Sequence, residues 1–271
     1  MASVFRFRGS ARLIGPLLLA PAIAAVAAGC STTRPLAGAS DPATTGSVAS
    51  AGPTDGDWRR EVQVAGETYK ANPGNAAAAM RYARALRAIG QRAQAAAVLE
   101  QASIHDPKNQ VVLGAFGRAL ADTGNYAQAL EVLNRAHTPD QPDWRILNAQ
   151  GAVLDQMGNH AEARRYYETA LKIAPEESST LSNLGLSYAL SKDLANAEKT
   201  LKRAASRPNS DPRVRQNLAL VLGLQGRFQE AERAAADDLP PEEARANIAY
   251  MREMMKERDP WKTLAATKPT A

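Results

Sequence analysis

The sequence predicts an all-α solenoid of about five stacked helix pairs, preceded by a half-pair and closed by a C-terminal capping helix. Three observations carry this. Small residues recur at a step of about 34 residues, one set at Ala83, Gly117, Gly151, Gly185 and Ala219 and a second at Ala95, Ala129, Ala163, Ala197 and Ala231. Apolar residues around each landmark keep the three-and-four spacing of a helical face. Aromatic residues make up only 5% of the 271 and Ala is abundant, as close helix-on-helix contact allows. A stack of such units grows along one axis without a single large core.

Taken in order, residues 1–29 show a basic start at Arg6, Arg8 and Arg12, an apolar run from Leu13 to Ala28 broken by Gly15, Pro16 and Pro21, and small residues before Cys30. This is the layout of a secretory signal peptide. The run falls short of the roughly 20 residues that span a bilayer, so a permanent transmembrane helix is not expected. Cys30 is the only cysteine, which excludes an internal disulfide and a thiolate metal cluster within one chain. Ala27-Ala28-Gly29-Cys30 resembles the lipobox of bacterial lipoproteins, although that family usually has Leu or Val where Ala27 stands. The resemblance implies that the Cys30 thiol receives a diacylglycerol and becomes the new N-terminus, and Ser31 after it resembles the outer-membrane sorting class. The alternative is an ordinary signal peptide with a free thiol. Several acyl chains, at about 0.8 kcal/mol per buried CH₂, anchor far more firmly than one.

Residues 30–57 then shift to Ser, Thr, Ala, Gly, Pro and Asp, with Leu36 and Val48 the only large aliphatics. Such a stretch buries too little apolar area to offset its ordering entropy. As a flexible tether it sets the folded part roughly 25 to 30 Å from an anchor.

The array is expected over 58–239. Val62, Ala65 and Tyr69 mark the second helix of an incomplete leading repeat between Trp58 and Asn72, which covers the flank of repeat one. Repeat one, Ala76 to Asn109, has Tyr82, Ala83, Leu86, Ala95, Leu99 and Ala102, with Gly90 at its turn. Repeat two, Gln110 to Asp143, has Leu113, Phe116, Gly117, Leu120, Gly124, Ala129 and Leu133. Its end, Thr138-Pro139-Asp140-Gln141-Pro142, predicts that the second helix stops early, because proline cannot continue it. Repeat three, Trp144 to Pro175, has Leu147, Gly151, Leu154, Gly158, Ala163, Tyr167 and Ala170. Repeat four, Ser178 to Asp211, has Leu181, Gly185, Tyr188, Ala197 and Leu201, with Lys192 where the others have a turn Gly. Repeat five starts near Pro212 and carries Leu218, Ala219, Leu222, Gly226 and Ala231. Pro240-Pro241-Glu242-Glu243 opens a helix over 240–258, with prolines at the entry and acids at the positive end of the dipole. Its stripe Ala244, Ile248, Met251 and Met255 is expected to cap the last repeat, and Met251, Met254 and Met255 offer the alternative of an adaptable binding patch. A tail, 259–271, follows.

This pattern resembles the tetratricopeptide repeat, which implies a right-handed superhelix whose concave face is lined by the first helix of each repeat. Groove positions carried over residue by residue are Met80, Arg81, Arg84 and Arg87, then Val111, Arg118 and Asp122. Repeat three contributes Arg145, Asn148, Asp155 and Gln156, repeat four Ser182, Asn183 and Leu190, and repeat five Arg213, Gln216, Asn217 and Leu224. Arg84 and Arg118 lie one period apart as a basic ladder, and Asn183 and Asn217, also one period apart, offer amides to a peptide backbone. The Lys and Asn pattern of chaperone-tail carboxylate clamps is absent, since Met80 and Arg84 occupy its first two places.

Catalysis is not expected: His105, His137 and His160 are dispersed, and there is no Gly-rich phosphate loop, no His-Glu metal motif and no cofactor signature. The pairs Asp237-Asp238 and Glu242-Glu243 read as a charged surface. The formal charge of +5 includes the three leader arginines, so the remaining basic residues nearly balance the 28 acidic ones. No electrostatic footprint for nucleic acid results.

Beyond the repeat class, ANPGNAAAAMRYARALRAIGQRAQA, AHTPDQPDWRILNAQGAVLDQMG, LSNLGLSYALSKDL and DPRVRQNLALVLGLQGRF running to DLPPEEA resemble the TadD-like lipoproteins of tight-adherence (Flp) pilus assembly. The likeness covers Asn72 to Trp261. It implies a periplasm-facing outer-membrane lipoprotein whose partners are a pilus secretin or other pilus-assembly components. A repeat-containing lipoprotein of the outer-membrane protein insertion machinery is the alternative reading.

Overall fold

The computed structural model describes residues 53–207, 210–236 and 238–256. The leader, Cys30, most of the tether, Asp237 and the tail after 256 lie outside the described residues. Within them the chain forms twelve α-helices: α1 Asp55–Ala71, α2 Ala76–Ala88, α3 Arg92–His105, α4 Gln110–Asp122, α5 Tyr126–Asn134, α6 Trp144–Gln156, α7 His160–Ile173, α8 Ser178–Leu190, α9 Leu194–Ala205, α10 Pro212–Leu224, α11 Phe228–Ala236 and α12 Pro241–Met254. Helices α2 to α11 are the five expected pairs.

Each pair is delimited by the same chemistry. The residue before every first helix turns its side-chain oxygen onto a backbone N–H of the first turn. Asn75 accepts from Ala78, Asn109 from Val112, Asp143 from Arg145, Glu177 from Ser179 and Asp211 from Arg213. Such a cap satisfies one of the helix's orphan donors and contributes about 1 kcal/mol. The pair's internal turn demands a left-handed residue, supplied by Gly90, Gly124, Gly158 and Gly226 at φ 79 to 84° and by Lys192 at φ 65°.

Packing explains the small landmarks. The second helix of repeats two, three and four lays Leu133, Tyr167 and Leu201 onto Gly117, Gly151 and Gly185, and a Cβ at any of the three glycines would sit 2.6 Å from the facing side chain. Repeat one accommodates Ala83 beside Leu99, both buried.

The start of α1 and the buried stripe of α12 differ from the sequence reading, while α5 stops early as the prolines after it predict. Helix α1 starts at Asp55, not Trp58, because Thr54 and Asp57 form a reciprocal capping box: Asp57 N–H donates to Thr54 Oγ1 at 3.2 Å and Thr54 N–H to Asp57 Oδ2 at 2.8 Å. Helix α5 has nine residues against fourteen in α3 and α7; after Ala136 the chain makes a tight turn closed by Gln141 N–H to the Thr138 carbonyl at 3.1 Å. On α12, Ala244, Ile248 and Met254 are the buried residues, whereas Met251, at the close approach to Gly223 of α10, and Met255 are half-buried. The helix docks on α10 and α11.

Candidate partner-binding face

The direction of curvature follows from which helices touch. Each first helix meets the first helix of the next repeat, α2 with α4, α4 with α6, α6 with α8 and α8 with α10, and α10 meets α12 in the same way. The second helices make no comparable contact with one another among the described residues. The first helices therefore lie on the inside of the curve, and their outward positions form the concave face.

Its N-terminal half is cationic. Arg81 donates through Nε and Nη2 to both oxygens of Glu61 on α1, at 2.5 and 3.0 Å, and that bond holds the Glu61 carboxyl below its usual range. Arg84 lies over the Trp58 ring, 5.6 Å from its centroid. Trp58, Glu61, Met80, Arg81 and Arg84 line an open hollow of about 500 Å³. Arg87 reaches across to Asp122 of the next repeat at 2.5 Å. Arg145 stacks on Trp144 at 4.5 Å and stands 3.8 Å from Asp143. Arg118, half-buried on α4, has no acceptor among the described residues. Burial, and then Arg87, press its guanidinium below its usual pKa, against the opposing pull of Asp143 and Asp122.

The C-terminal half is built from amides and leucines. Asn183 Nδ2 donates to Asn148 Oδ1 at 3.0 Å, and Asn217 Nδ2 donates to Ser182 Oγ at 3.0 Å. The asparagines expected to hold a ligand therefore first tie consecutive repeats together. Each such bond fixes the amide plane and uses one N–H, so the other N–H and the carbonyl oxygen of Asn183 and Asn217 are held in a set orientation. On the same two helices Leu186 and Leu220 are half-buried, and Leu190 is 52% exposed. The sequence reading missed Leu186 and Leu220, which occupy the same register as Arg84 and Arg118 two to four repeats on. Stepping the basic ladder forward by the period finds them.

Several expected groove residues lie elsewhere. Asp155, with its side chain 7% exposed, is removed from the groove by three donors: His160 Nδ1 at 2.8 Å, Tyr167 O–H at 2.9 Å and Ser187 O–H at 2.8 Å. It locks α6, α7 and α8 together; burial, and then this carboxylate, raise the Tyr167 phenol pKa. Leu224 is buried, packed within the last repeat. Arg213, by contrast, stays exposed and is paired with Asp211 beside it.

Models of the tetratricopeptide repeat match residues 90–152 and 144–210. Comparison with curated proteins found no match. Among solved structures, the chain is similar to a tetratricopeptide repeat protein from Parabacteroides merdae (TM-score 0.63, 13% identity, 73% of this chain and 78% of that one). It is also similar to TTC0263, a thermophilic protein of the same class from Thermus thermophilus (0.58, 22%, 65% and 98%). A third likeness is to a chain of the APC/C hetero-tetramer Cut9–Hcn1 (0.61, 16%, 74% and 40%). These likenesses concern the fold. The chain carries tetratricopeptide repeats, and its described residues fold as a tetratricopeptide-repeat solenoid, an architecture of protein-interaction scaffolds.

Proposed function

We propose that the protein is a non-enzymatic scaffold that holds an extended segment of an envelope partner along its concave face, as a lipid-anchored, periplasm-facing outer-membrane lipoprotein of a tight-adherence (Flp) pilus assembly system. The observation that carries the binding part is the fixed orientation of Asn183 and Asn217. Amides already pinned by a neighbouring repeat lose little freedom when they bond a peptide backbone, so more of the contact energy remains for binding. The anchor rests on the leader and Cys30, and the pilus role rests on the resemblance of Asn72 to Trp261.

In cells, a photo-reactive residue in place of Asn183 is expected to cross-link to the pilus secretin or another pilus-assembly protein, and deletion of the gene is expected to abolish surface pili while porins persist. General loss of porins, with pili reduced only in proportion, would overturn the pilus reading. Cys30→Ser is expected to block anchored maturation. A variant that still fractionates with outer membranes as a processed lipoprotein refutes the anchor.

A further inference from the structure

Among the described residues Arg118 is the one groove arginine with no acceptor or aromatic ring against it, and its position is costly. A half-buried guanidinium has lost part of its hydration, and without an acceptor nothing in the chain returns it. The other five groove arginines are each engaged: Arg81 with Glu61, Arg87 with Asp122, Arg145 with Trp144 and Asp143, Arg84 with Trp58 and Arg213 with Asp211. Gly114, one turn before it on α4, is buried under Ile146 of α6, whose Cδ1 would lie 2.5 Å from a Cβ there. A Cβ on Gly114 would come within 3.6 Å of Arg118 Nη1, so the guanidinium lies back along its own helix. Arg87 from repeat one and Arg145 from repeat three flank it, together with Asp122 and Asp143.

We infer that Arg118, flanked by Arg87 and Arg145, is a receptor for a single carboxylate of the partner segment seated on the concave face. The inference deepens the scaffold reading and rests on it. Local charge selects the ligand. Three guanidiniums against the two carboxylates of Asp122 and Asp143 leave one uncompensated positive charge, which a monoanion neutralises and a phosphate dianion would overshoot. Guanidinium geometry agrees, because its planar fork matches the two oxygens of a carboxylate and a charge-assisted pair of this kind is about twice as strong as a neutral hydrogen bond. The carboxylate also does what Asp122 and Asp143 do not: it gives Arg118 acceptors at hydrogen-bonding distance. Both aspartates are held back, Asp122 by Arg87 and Asp143 by its cap on the Arg145 N–H.

The test uses the full chain with ¹⁵N-labelled arginine, reading the Arg118 Nε–Hε signal, identified by its loss in Arg118→Lys. Three blocked tripeptides are titrated at constant ionic strength: Ac-Ala-Asp-Ala-NH₂, Ac-Ala-Ala-Ala-OH and the neutral Ac-Ala-Asn-Ala-NH₂, with inorganic phosphate as a fourth ligand. At least one carboxylate peptide is expected to shift the signal saturably, with a dissociation constant on the order of millimolar, while the Asn peptide does not. The tighter of the two carboxylate peptides tells whether the partner presents an acidic side chain or a chain terminus. Isothermal titration of Arg118→Gln, checked for unchanged helicity, should show binding weakened at least about tenfold, a loss of roughly 1.4 kcal/mol. Arg118→Lys, which keeps the charge without the fork, should fall between. No saturable shift with either carboxylate, tighter binding of phosphate, or unchanged affinity in Arg118→Gln overturns the receptor. These readings are independent of Asn183 and of the pilus partner, so failure here leaves the cross-linking test of the scaffold intact.

Discussion

Gly151 tests whether close helix contact or helix propensity sets the landmarks of the array. Replacing it with Ala adds a Cβ that would lie 2.6 Å from Tyr167 Cε1 and 2.9 Å from Cδ1 and Cζ, where carbon atoms prefer about 3.5 to 4.0 Å. Tyr167 cannot withdraw easily, since it is 1% exposed and its hydroxyl donates to Asp155 at 2.9 Å. Overpacking of this kind costs about 1 to 3 kcal/mol, and the gain in helix propensity from Gly to Ala returns up to about 1 kcal/mol. A net loss of about 1 to 2 kcal/mol is expected in urea unfolding followed by helical circular dichroism. Repeat one supplies the rescue, because there the same two positions are Ala83 and Leu99. In a double-mutant cycle, Gly151→Ala with Tyr167→Leu should therefore be at least about 1 kcal/mol more stable than the sum of the single changes, within the range for residues in contact. The lost Tyr167 hydroxyl bond is common to the single and double variants and cancels. Additive effects, or a Gly151→Ala variant as stable as the parent, would refute the argument that the glycine is there for the ring.

Lys192→Gly should stabilise the array by about 0.5 to 1 kcal/mol, because Lys192 holds φ 65° where an L side chain is strained and glycine is not; a destabilisation of that size in urea unfolding would contradict it. The Glu198 carboxyl is held down at about 2, first by Arg227 and then by Lys202. Since its folded pKa lies below the ordinary 4.5, the contribution is complete above that pH and is lost as pH falls toward 2. Glu198→Gln should flatten the decline of stability in that window, and parallel acid-unfolding profiles would count against it. Gln150→Leu should stabilise by about 1 kcal/mol or more, because the Gln150 carbonyl oxygen is buried without a donor; an unfolding midpoint below the parent's would refute this.

The fold was legible because a repeat writes its packing five times. Glycine at 117, 151 and 185 meets a large side chain each time, and the step that locates one locates all. The caps Asn75, Asn109, Asp143, Glu177 and Asp211 carry the same period, yet they escape a search for small and apolar landmarks because their identities vary while their side-chain oxygen does not. The site was less legible because register states which helix face a residue takes, not what else reaches it. Asp155 has a groove register, but His160, Tyr167 and Ser187 come to it from α7 and α8. Asn148 and Asn183 have the register of ligand groups, and only the distance between neighbouring repeats reveals that they bond each other first. Arg118 and Arg84 share a register and differ in environment, since Trp58 of the leading helix covers one and nothing comparable covers the other.

The seam between repeats two and three gathers the departures from the pattern. At the register where the other repeats bury Tyr82, Phe116, Leu184 and Leu218, α6 carries Gln150, 1% exposed. Its Nε2 donates to Asn134 Oδ1 at 2.7 Å, and Asn134 is the last residue of the shortened α5. The same Thr-Pro-Asp-Gln-Pro link that stops α5 early thus brings a helix end, with its polar side chain, against the first helix of the next repeat. An apolar residue at 150 would leave Asn134 to water, whereas Gln150 satisfies it and leaves its own carbonyl oxygen unpaired. In a stack whose stability is close to a sum of repeat and neighbour terms, this polar pair sits beside an apolar core in which Ile146 and Val153 of α6 join Leu113 and Phe116 of α4. It also falls where the concave face changes from arginines to amides: Arg118 stands on one side of the seam and Asn148 on the other. The spacing between the carboxylate receptor and the amide ladder is therefore set across the joint that holds the Gln150–Asn134 pair.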